Sequence, residues 1–438
     1  MTYKTSRYNF LILEDDHGIL YNSRTGKTVL LKGATGDAIN WLLVNPSEDV
    51  KARPNLAELK TSLVDTGFLV PHDEDELASI LQANARARKS REGLHLTISV
   101  TEACNFRCPY CYQSHAQKSI DEKTADRLVE FVRHNLPQDS ELSVTWYGGE
   151  PLLNLPVIEK LSAEFTKICK QSGCAYSTFM ITNGYRLNAD MVRHLASLDI
   201  GDFQITIDGD KETHDQTRIL AGGQGSYDVI MKNLKDIVPL VDSMAVRINV
   251  LHSNRDGANR LLKKLDERFD AIEGFHAYLA HVDDASENCD VERSNLLTGE
   301  EFAGLQRENR PETIVSDATR FDLPQPVINV CGAERANNFV VDPEGQLFKC
   351  WNSVGRTDEP VGSIHQPFHH ADRLDENKWQ QFSADQDDIC RECKFLPLCM
   401  GGCPDVRFRT GQSERDCVSS KYTLIDDLTD LVQRQSAV

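Results

Sequence analysis

Apolar and polar positions follow three different regimes along the chain. In the first regime Tyr8–Leu13, Ile19–Tyr21 and Thr28–Leu31 read as short strands, with a turn at Asn22–Gly26. Asp37–Val44 and Leu56–Asp65 read as helices, the second with Leu56, Leu59, Leu63 and Val64 on one face. Gly67 ends that helix and Phe68–Val70 leaves it extended. Strands followed by helices at this size predict a winged-helix-like unit. Residues 71–92 then become charged, acidic at His72–Glu76 and basic at Arg86–Arg91, and predict a solvated, partly helical linker.

From about Leu94 to Val282 strand and helix patterns alternate. Strands are expected at His95–Val100, Leu142–Tyr147, Ser177–Ile181, Phe203–Ile207, Val246–Leu251 and Phe275–Ala280. Helical patterns at Lys123–Asn135, Pro156–Cys169, Ala189–Leu198, Tyr227–Val238 and Arg260–Phe269 separate them. Six such units predict an α/β fold with a parallel sheet, curved into a partial barrel or doubly wound. Chemistry in such sheets gathers at the carboxyl ends of the strands. Beyond about residue 310 the alternation stops. Short strands, turns and cysteines lead to an amphipathic helix near Tyr422–Val432. A segment with so little apolar periodicity needs another source of cohesion, and metal ligation can supply it. The expected domains are 1–92, 93–310 and 311–438.

The chain has 438 residues, and 48 basic against 67 acidic side chains leave a net charge of −19. That balance disfavours nucleic acid and anionic lipid as partners, since both reward basic surfaces. No stretch is apolar for long enough to span a membrane. The start, MTYKTSRYNF, lacks a secretory core, so the expected location is cytoplasmic. The thirteen cysteines change the picture most, because in a reducing compartment they point to metal or redox work. Three lie within 104–111 and seven within 331–417, while Cys169, Cys174 and Cys289 are scattered.

The first cluster is Cys104-Asn-Phe-Arg-Cys108-Pro-Tyr-Cys111-Tyr112, directly after the first strand of the alternating region. Three thiolates close neither a structural zinc site nor a disulfide framework unless a distant His completes the former. Held on a 4Fe–4S cluster, they leave one iron without a protein ligand. This loop resembles the signature of the radical S-adenosylmethionine (SAM) enzymes, where the open iron binds SAM and a 5′-deoxyadenosyl radical is generated. The resemblance implies a partial (β/α)6 TIM-type barrel, with Cys104, Cys108 and Cys111 as the catalytic cluster ligands. It also implies SAM contacts from Tyr110, at the position of an aromatic that packs on adenine, and from Gly148, Gly149 and Glu150, whose carboxylate would take the methionyl ammonium. Thr182 and Asn183 at the third strand end, Asp208 and Arg218 after the fourth, and Asn249 in the fifth complete the set. His214 lies between Asp208 and Arg218, and these three also suit a network that only positions the strand ends.

The second cluster runs Cys331-x13-Gly345-x4-Cys350, then Cys390-x2-Cys393-x5-Cys399-x3-Cys403-x13-Cys417. Asp342-Pro-Glu-Gly345 predicts a hairpin turn. Four of the cysteines alone would also suit a zinc ribbon. The whole pattern resembles the SPASM extension of radical enzymes that modify peptides and proteins, which holds two auxiliary 4Fe–4S clusters. By that resemblance Cys331, Cys350 and Cys403 hold the nearer cluster, with Cys289 a remote candidate for a fourth ligand. Cys390, Cys393, Cys399 and Cys417 hold the outer one. Sulfatase-maturing relatives carry an Asp base just after the cysteine matching Cys350, where this chain has Trp351.

The expected cofactors are therefore SAM and three 4Fe–4S clusters, with an external one-electron reductant such as flavodoxin or ferredoxin. The leading expectation is a maturase of a ribosomally made precursor peptide, bound through its leader by the winged-helix-like unit, that installs an intramolecular C–C, thioether or ether cross-link. A radical enzyme acting on a folded protein or small molecule, and a non-catalytic iron–sulfur redox protein, are the other two readings.

Overall fold

The computed structural model describes residues 2–14, 17–269, 271–283, 288–310, 323–329, 331–356, 359–366, 377–411 and 415–436. Two compact units are present. Residues 1–88, 299–331 and 382–438 form one, and 89–298 with 332–381 the other, so segment 311–438 is divided between them.

The first unit begins with strands β1 (Tyr3–Thr5), β2 (Asn9–Glu14), β3 (His17–Asn22) and β4 (Thr28–Lys32), then helices α1 (Gly33–Val44) and α2 (Pro54–Asp65) and strand β5 (Leu69–Pro71). Strands β2, β3 and β4 form an antiparallel sheet, and β1 pairs with β5. Period-two alternation along β3 feeds two cores. Leu20 joins Leu31, Ile39, Leu42, Leu63 and Phe68 on one side. Ile19 and Tyr21 join Phe10, Leu323, Leu424, Leu428 and Val432 on the other. The last three come from the C-terminal helix Ser420–Ser436, whose apolar stripe ties the chain's end to this unit.

Helix α3 (Glu76–Lys89) is the helical part expected of the 71–92 linker, and three of its residues, Glu76, Asn84 and Arg88, are buried. Glu76 is buried and accepts hydrogen bonds from Ser6 Oγ at 2.5 Å and Arg7 N at 3.0 Å. Asn84 is buried too and donates to the Ile328 carbonyl at 2.6 Å. Composition read these polar residues as solvated, whereas each is placed by a partner distant in sequence.

The second unit carries strands β6 (Leu94–Ser99), β7 (Glu141–Tyr147), β8 (Ala175–Thr182), β9 (Asp202–Thr206), β10 (Ser243–Val250) and β11 (Phe275–His281). All six are parallel, and their spatial order follows the sequence without a reversal point. A doubly wound sheet requires such a reversal, so that alternative fails. Intervening helices α4 (Glu122–Asn135), α5 (Leu155–Ser172), α6 (Ala189–Ala196), α7 (Lys211–Thr217), α8 (Tyr227–Ile237) and α9 (Arg255–Phe269) start and stop where local chemistry dictates. Asp121, Asn188 and Asp210 cap α4, α6 and α7 through their side chains, and Gly173 ends α5 in the left-handed region at φ 66°. Past Cys331, β12 (Asn338–Val341) pairs parallel to β6, and β13 (Gln346–Phe348) and β14 (Gly362–Ser363) follow antiparallel. The Asp342–Gly345 turn is present, with Asp342 Oδ1 accepting from Glu344 N and Gln346 N. Among the described residues no helix is long and apolar enough to cross a membrane.

Candidate active site

At the carboxyl end of the parallel strands, a cavity of about 340 Å³ opens over the first cysteine cluster. Cys104, Cys108, Tyr110 and Cys111 line it, together with Gly148, Gly149, Thr182, Asn183, Arg218 and Asn249. Glu150 and Asp208, grouped with them by sequence, do not reach the cavity surface. Both are fully buried behind it.

The three cysteines share one low-dielectric corner. Burial pushes the Cys104 thiol up to about 11 and the Cys108 thiol up to about 12; Cys108 feels the charge of Cys111 and Cys104, and Cys104 that of Cys111. Cys111 is raised by the same desolvation. Thiols so placed do not ionise without a cation to hold, and soft sulfur donors at a strand end suit iron–sulfur ligation. Among the described residues no three ligating side chains stand close enough for a single metal ion. A four-iron cube spreads its cysteines more widely than one ion does.

The Gly148-Gly149-Glu150 turn packs against this loop, and here the structure adjusts the expectation. A Cβ at Gly149 would lie 2.4 Å from the Ala103 carbonyl oxygen, and Gly148 has φ 134°. The glycines thus admit close approach of the chain's own cysteine loop as well as lining the cavity. Gly149 N donates to Thr101 O at 2.8 Å and Glu150 N to Ala103 O at 3.0 Å. The Glu150 carboxylate is already engaged. It accepts from Thr182 Oγ1 at 2.7 Å, Asn183 N at 2.8 Å and Leu152 N at 3.1 Å, which pins the third strand end to the second. Its burial raises its pKa despite these bonds. Asn183 Nδ2 in turn donates to Asn105 Oδ1 inside the cysteine loop at 2.8 Å.

A second network centres on Asp208. Its carboxylate accepts from the Tyr110 hydroxyl, from Thr217 Oγ1 at 3.2 Å and from Asn249 N at 3.3 Å. Arg218 Nη1 donates to the Tyr110 oxygen at 2.7 Å, and its guanidinium lies 5.4 Å from the Phe106 ring centre. Tyr110 therefore links a buried carboxylate to a buried guanidinium. Arg218 Nε is buried with no partner and belongs to a residue that lines the cavity. His214 stays within the network. Its Nδ1 accepts from Asp208 N at 3.2 Å and its Nε2 faces Ser226 Oγ at 2.9 Å, while burial drives its pKa down to about 3. A neutral ring protonated on Nε2 satisfies both bonds.

Sequence reasoning missed the cavity's far wall. Tyr147 stacks on Trp351 with centroids 5.8 Å apart, its hydroxyl meets that of Tyr112, and Arg247 stands nearby on β10. Inward phase could have found Arg247, since it sits two residues before Asn249 on a strand. Cys289 lies near the first cysteine loop. Its charge is felt by Cys111, and its neighbours clamp the first cysteine loop through Asp290 N to Pro109 O at 2.7 Å and Asn288 Nδ2 to Tyr112 O at 3.0 Å.

In the first unit, Cys390, Cys393, Cys399 and Cys417 line one small pocket with Phe395, Leu396, Arg407 and Lys421. Arg407 Nη2 donates to Cys390 Sγ at 2.9 Å and Lys421 Nζ to Cys417 Sγ at 3.3 Å. Cys403 is absent from that pocket. Burial raises its thiol to about 12, and Asp416 and Cys331 bear on it electrostatically. Cys350 follows β13 in the second unit, and its charge is felt by Tyr147.

A sequentially wound α/β sheet with three thiols and a cavity at its strand ends defines an enzyme of a recognisable class. Residues 98–265 match the radical SAM superfamily. Residues 98–265 carry a radical SAM domain and the chain is an enzyme, which sets aside the non-catalytic reading. It is 23% identical over 344 residues to the mycofactocin maturase of Mycolicibacterium smegmatis, covering 72% of this chain and 79% of that protein. A shorter match, 33% identical over 135 residues, links it to an uncharacterised protein of Methanocaldococcus jannaschii, covering 30% of this chain and only 44% of that one. Among solved structures, native anSMEcpe with bound AdoMet and Cp18Cys peptide has a TM-score of 0.59 at 18% identity, over 79% of this chain and all of that one. SuiB of Streptococcus suis bound to precursor peptide SuiA has a TM-score of 0.54 at 14% identity, over 93% of this chain and 97% of that one. At such identities the two structures establish a shared fold.

Proposed function

We propose that this enzyme matures a ribosomally made precursor peptide, joining two of its side chains by an intramolecular cross-link. The observation that carries the reading is the cavity itself. Cysteines of the C-x3-C-x2-C loop form one wall, while Tyr147, Trp351 and Arg247 form another, which leaves room for a cofactor and a substrate side chain together. The similarity to a peptide maturase over most of the chain supports a peptide as that substrate.

Cys104, Cys108 and Cys111 would hold a 4Fe–4S cluster, which with SAM supplies a 5′-deoxyadenosyl radical able to take a hydrogen atom from an unactivated carbon. The protein's own contribution is positioning. Glu150 fixes the Thr182–Asn183 strand end, Asn183 fixes Asn105, and both strand ends thereby hold the cysteine loop. The Tyr110–Asp208–Arg218 network holds the opposite side and presents a guanidinium to the cavity. Aromatic faces at Tyr112, Tyr147 and Trp351 limit access of water to a reactive carbon.

The Cys390, Cys393, Cys399 and Cys417 pocket suits an auxiliary cluster, because Arg407 and Lys421 offer N–H donors to an anionic sulfur shell. Cys331 and Cys403, which bear on one another electrostatically, are assigned to the other. In the first unit β4 is an edge of its sheet. A leader segment added to β4 as a further strand would gain backbone hydrogen bonds and raise the core peptide's effective concentration.

The test is incubation of reconstituted enzyme, SAM and reductant with candidate precursor peptides drawn from the neighbouring open reading frames. Loss of two hydrogens, a decrease of about 2 Da, is expected if the carbon radical couples and gives up one electron to an auxiliary cluster. Removing residues 1–70 should abolish leader binding. Formation of 5′-deoxyadenosine with an unchanged peptide mass would reject the proposal.

A further inference from the structure

Arg247 is a charge that the positioning networks leave unused. It lies on β10 in phase with Asn249, so both project from the inner face of the sheet into the cavity, while Val246 and Ile248 are buried on the other face. Its Nε donates to Asn249 Oδ1 at 2.8 Å, which fixes the plane of the guanidinium and leaves its two Nη groups for other partners. The residues opposite it on the neighbouring strands are Thr206 and Tyr278, neither of them anionic. Among the described residues no carboxylate forms an ion pair with it, although Asp283 lines the same cavity. Arg218, the other cavity guanidinium, is compensated through Tyr110 by Asp208. Arg247 is half-buried, within electrostatic reach of Tyr147 and beside the Tyr147–Trp351 stack. An oriented guanidinium in a concave site, its Nη pair outside any ion pair, suits a bidentate anion, and carboxylate matches its fork.

We propose that Arg247 is a specificity-determining residue that binds a carboxylate of the substrate, an acidic side chain or a chain terminus, and holds it against the Tyr147–Trp351 face. This rests on the reading of the cavity as the substrate site and adds to it the class of residue accepted. The amino-acid carboxylate of SAM is the competing source of the same chemistry.

The probe is N-acetylglycine, with N-acetylglycinamide as its neutral counterpart. Reconstituted, reduced enzyme is first saturated with S-adenosylhomocysteine, which is not cleaved and carries the cofactor's own carboxylate. Broadening of the probe's carboxyl ¹³C resonance by the paramagnetic cluster then reports binding in the cavity. The acid should broaden and the amide should not. Arg247→Gln should weaken the acid's binding about tenfold or more, and Arg247→Lys should retain part of it, since an ammonium keeps the charge but loses the fork. Equal broadening in wild type and Arg247→Gln, or none in wild type, overturns the proposal. So does a tenfold loss of SAM affinity in Arg247→Gln with unchanged affinity for decarboxylated SAM, which would give the guanidinium to the cofactor. A positive result with no peptide cross-linking would instead reject the maturase reading and leave the carboxylate site standing.

Discussion

Substituting Gly149 by alanine tests whether the strand-end glycines position the cysteine loop. The added Cβ would meet the Ala103 oxygen at 2.4 Å and the Glu102 oxygen at 2.5 Å, where ordinary contact begins at 3.4 Å. Both obstacles are backbone, so the loop must retreat by roughly 1 Å, since tightly packed groups leave no free volume to absorb the clash. The Gly149 N to Thr101 O bond of 2.8 Å and the Glu150 N to Ala103 O bond of 3.0 Å would then both exceed hydrogen-bonding range. Two lost bonds at about 0.5–1.5 kcal/mol each, with about 1–3 kcal/mol for overpacking, give a destabilisation of roughly 2–6 kcal/mol. A fall in Tm on the order of 10 °C should follow. Because Ala103 adjoins Cys104, a 1 Å displacement should also cut 5′-deoxyadenosine formation by about a hundredfold. Differential scanning and chromatographic quantification of 5′-deoxyadenosine measure the two effects. A variant within about 2 °C of the parent Tm that keeps half its rate would refute the positioning argument.

Gly304 supplies the control: it lies inside the helix Gly299–Glu308 with nothing near its notional Cβ. Gly304→Ala should therefore stabilise by about 0.5–1 kcal/mol in denaturant titrations, and destabilisation would show that hidden contacts exist there. His214 makes stability depend on pH. Its pKa falls from 6.5 in the unfolded chain to about 3 in the fold, so the unfolded state binds the extra proton between those values. Its contribution is complete above pH 6.5 and is lost as pH falls, by at most about 1.4 kcal/mol per pH unit. His214→Gln preserves an acceptor and a donor, and should flatten that part of the stability–pH curve; an unchanged slope counts against the assignment. Arg407→Leu leaves Asp387 with Arg415 as its remaining ion-pair partner, at 2.8 Å, and Cys390 without the Arg407 N–H donor. A loss of about 1.5–3 kcal/mol is expected, with roughly four fewer irons per chain on metal analysis, and full iron content would argue against an auxiliary cluster at that pocket.

Much of the second unit was legible in the residues alone. Period-two and 3.6-residue patterns marked its six parallel strands to within a few positions, because each element buries one side against its neighbours and must repeat accordingly. The cysteine spacing was equally readable. Thiols that share one small object must come from one short loop, or from a turn and a following segment, and Cys104–Cys111 does so. Choosing between a curved and a doubly wound sheet was beyond the pattern, since strand order depends on which edges pair and local periodicity is blind to pairing.

Other facts exist only in three dimensions. Helix α3 looked solvated because Glu76 and Asn84 are polar, and their burial depends on Ser6, Arg7 and Ile328, which no local window contains. Glu150 was chosen as a cofactor contact, and only the fold shows that its carboxylate also accepts from Thr182, Asn183 and Leu152. The C-terminal residues were read as one domain, but their apolar positions divide them. Leu424, Leu428 and Val432 pack on β2 and β3, whereas Asn338–Val341 joins β6. Arg247 is the clearest case. Its sequence marks only an inward strand position, and the absence of an ion pair to it among the described residues follows from Thr206 and Tyr278 being the residues opposite it. Amino-acid order determined which residue types recur and at what spacing, whereas burial and partnership are sums over the whole packed chain, and those were decided by the tertiary fold.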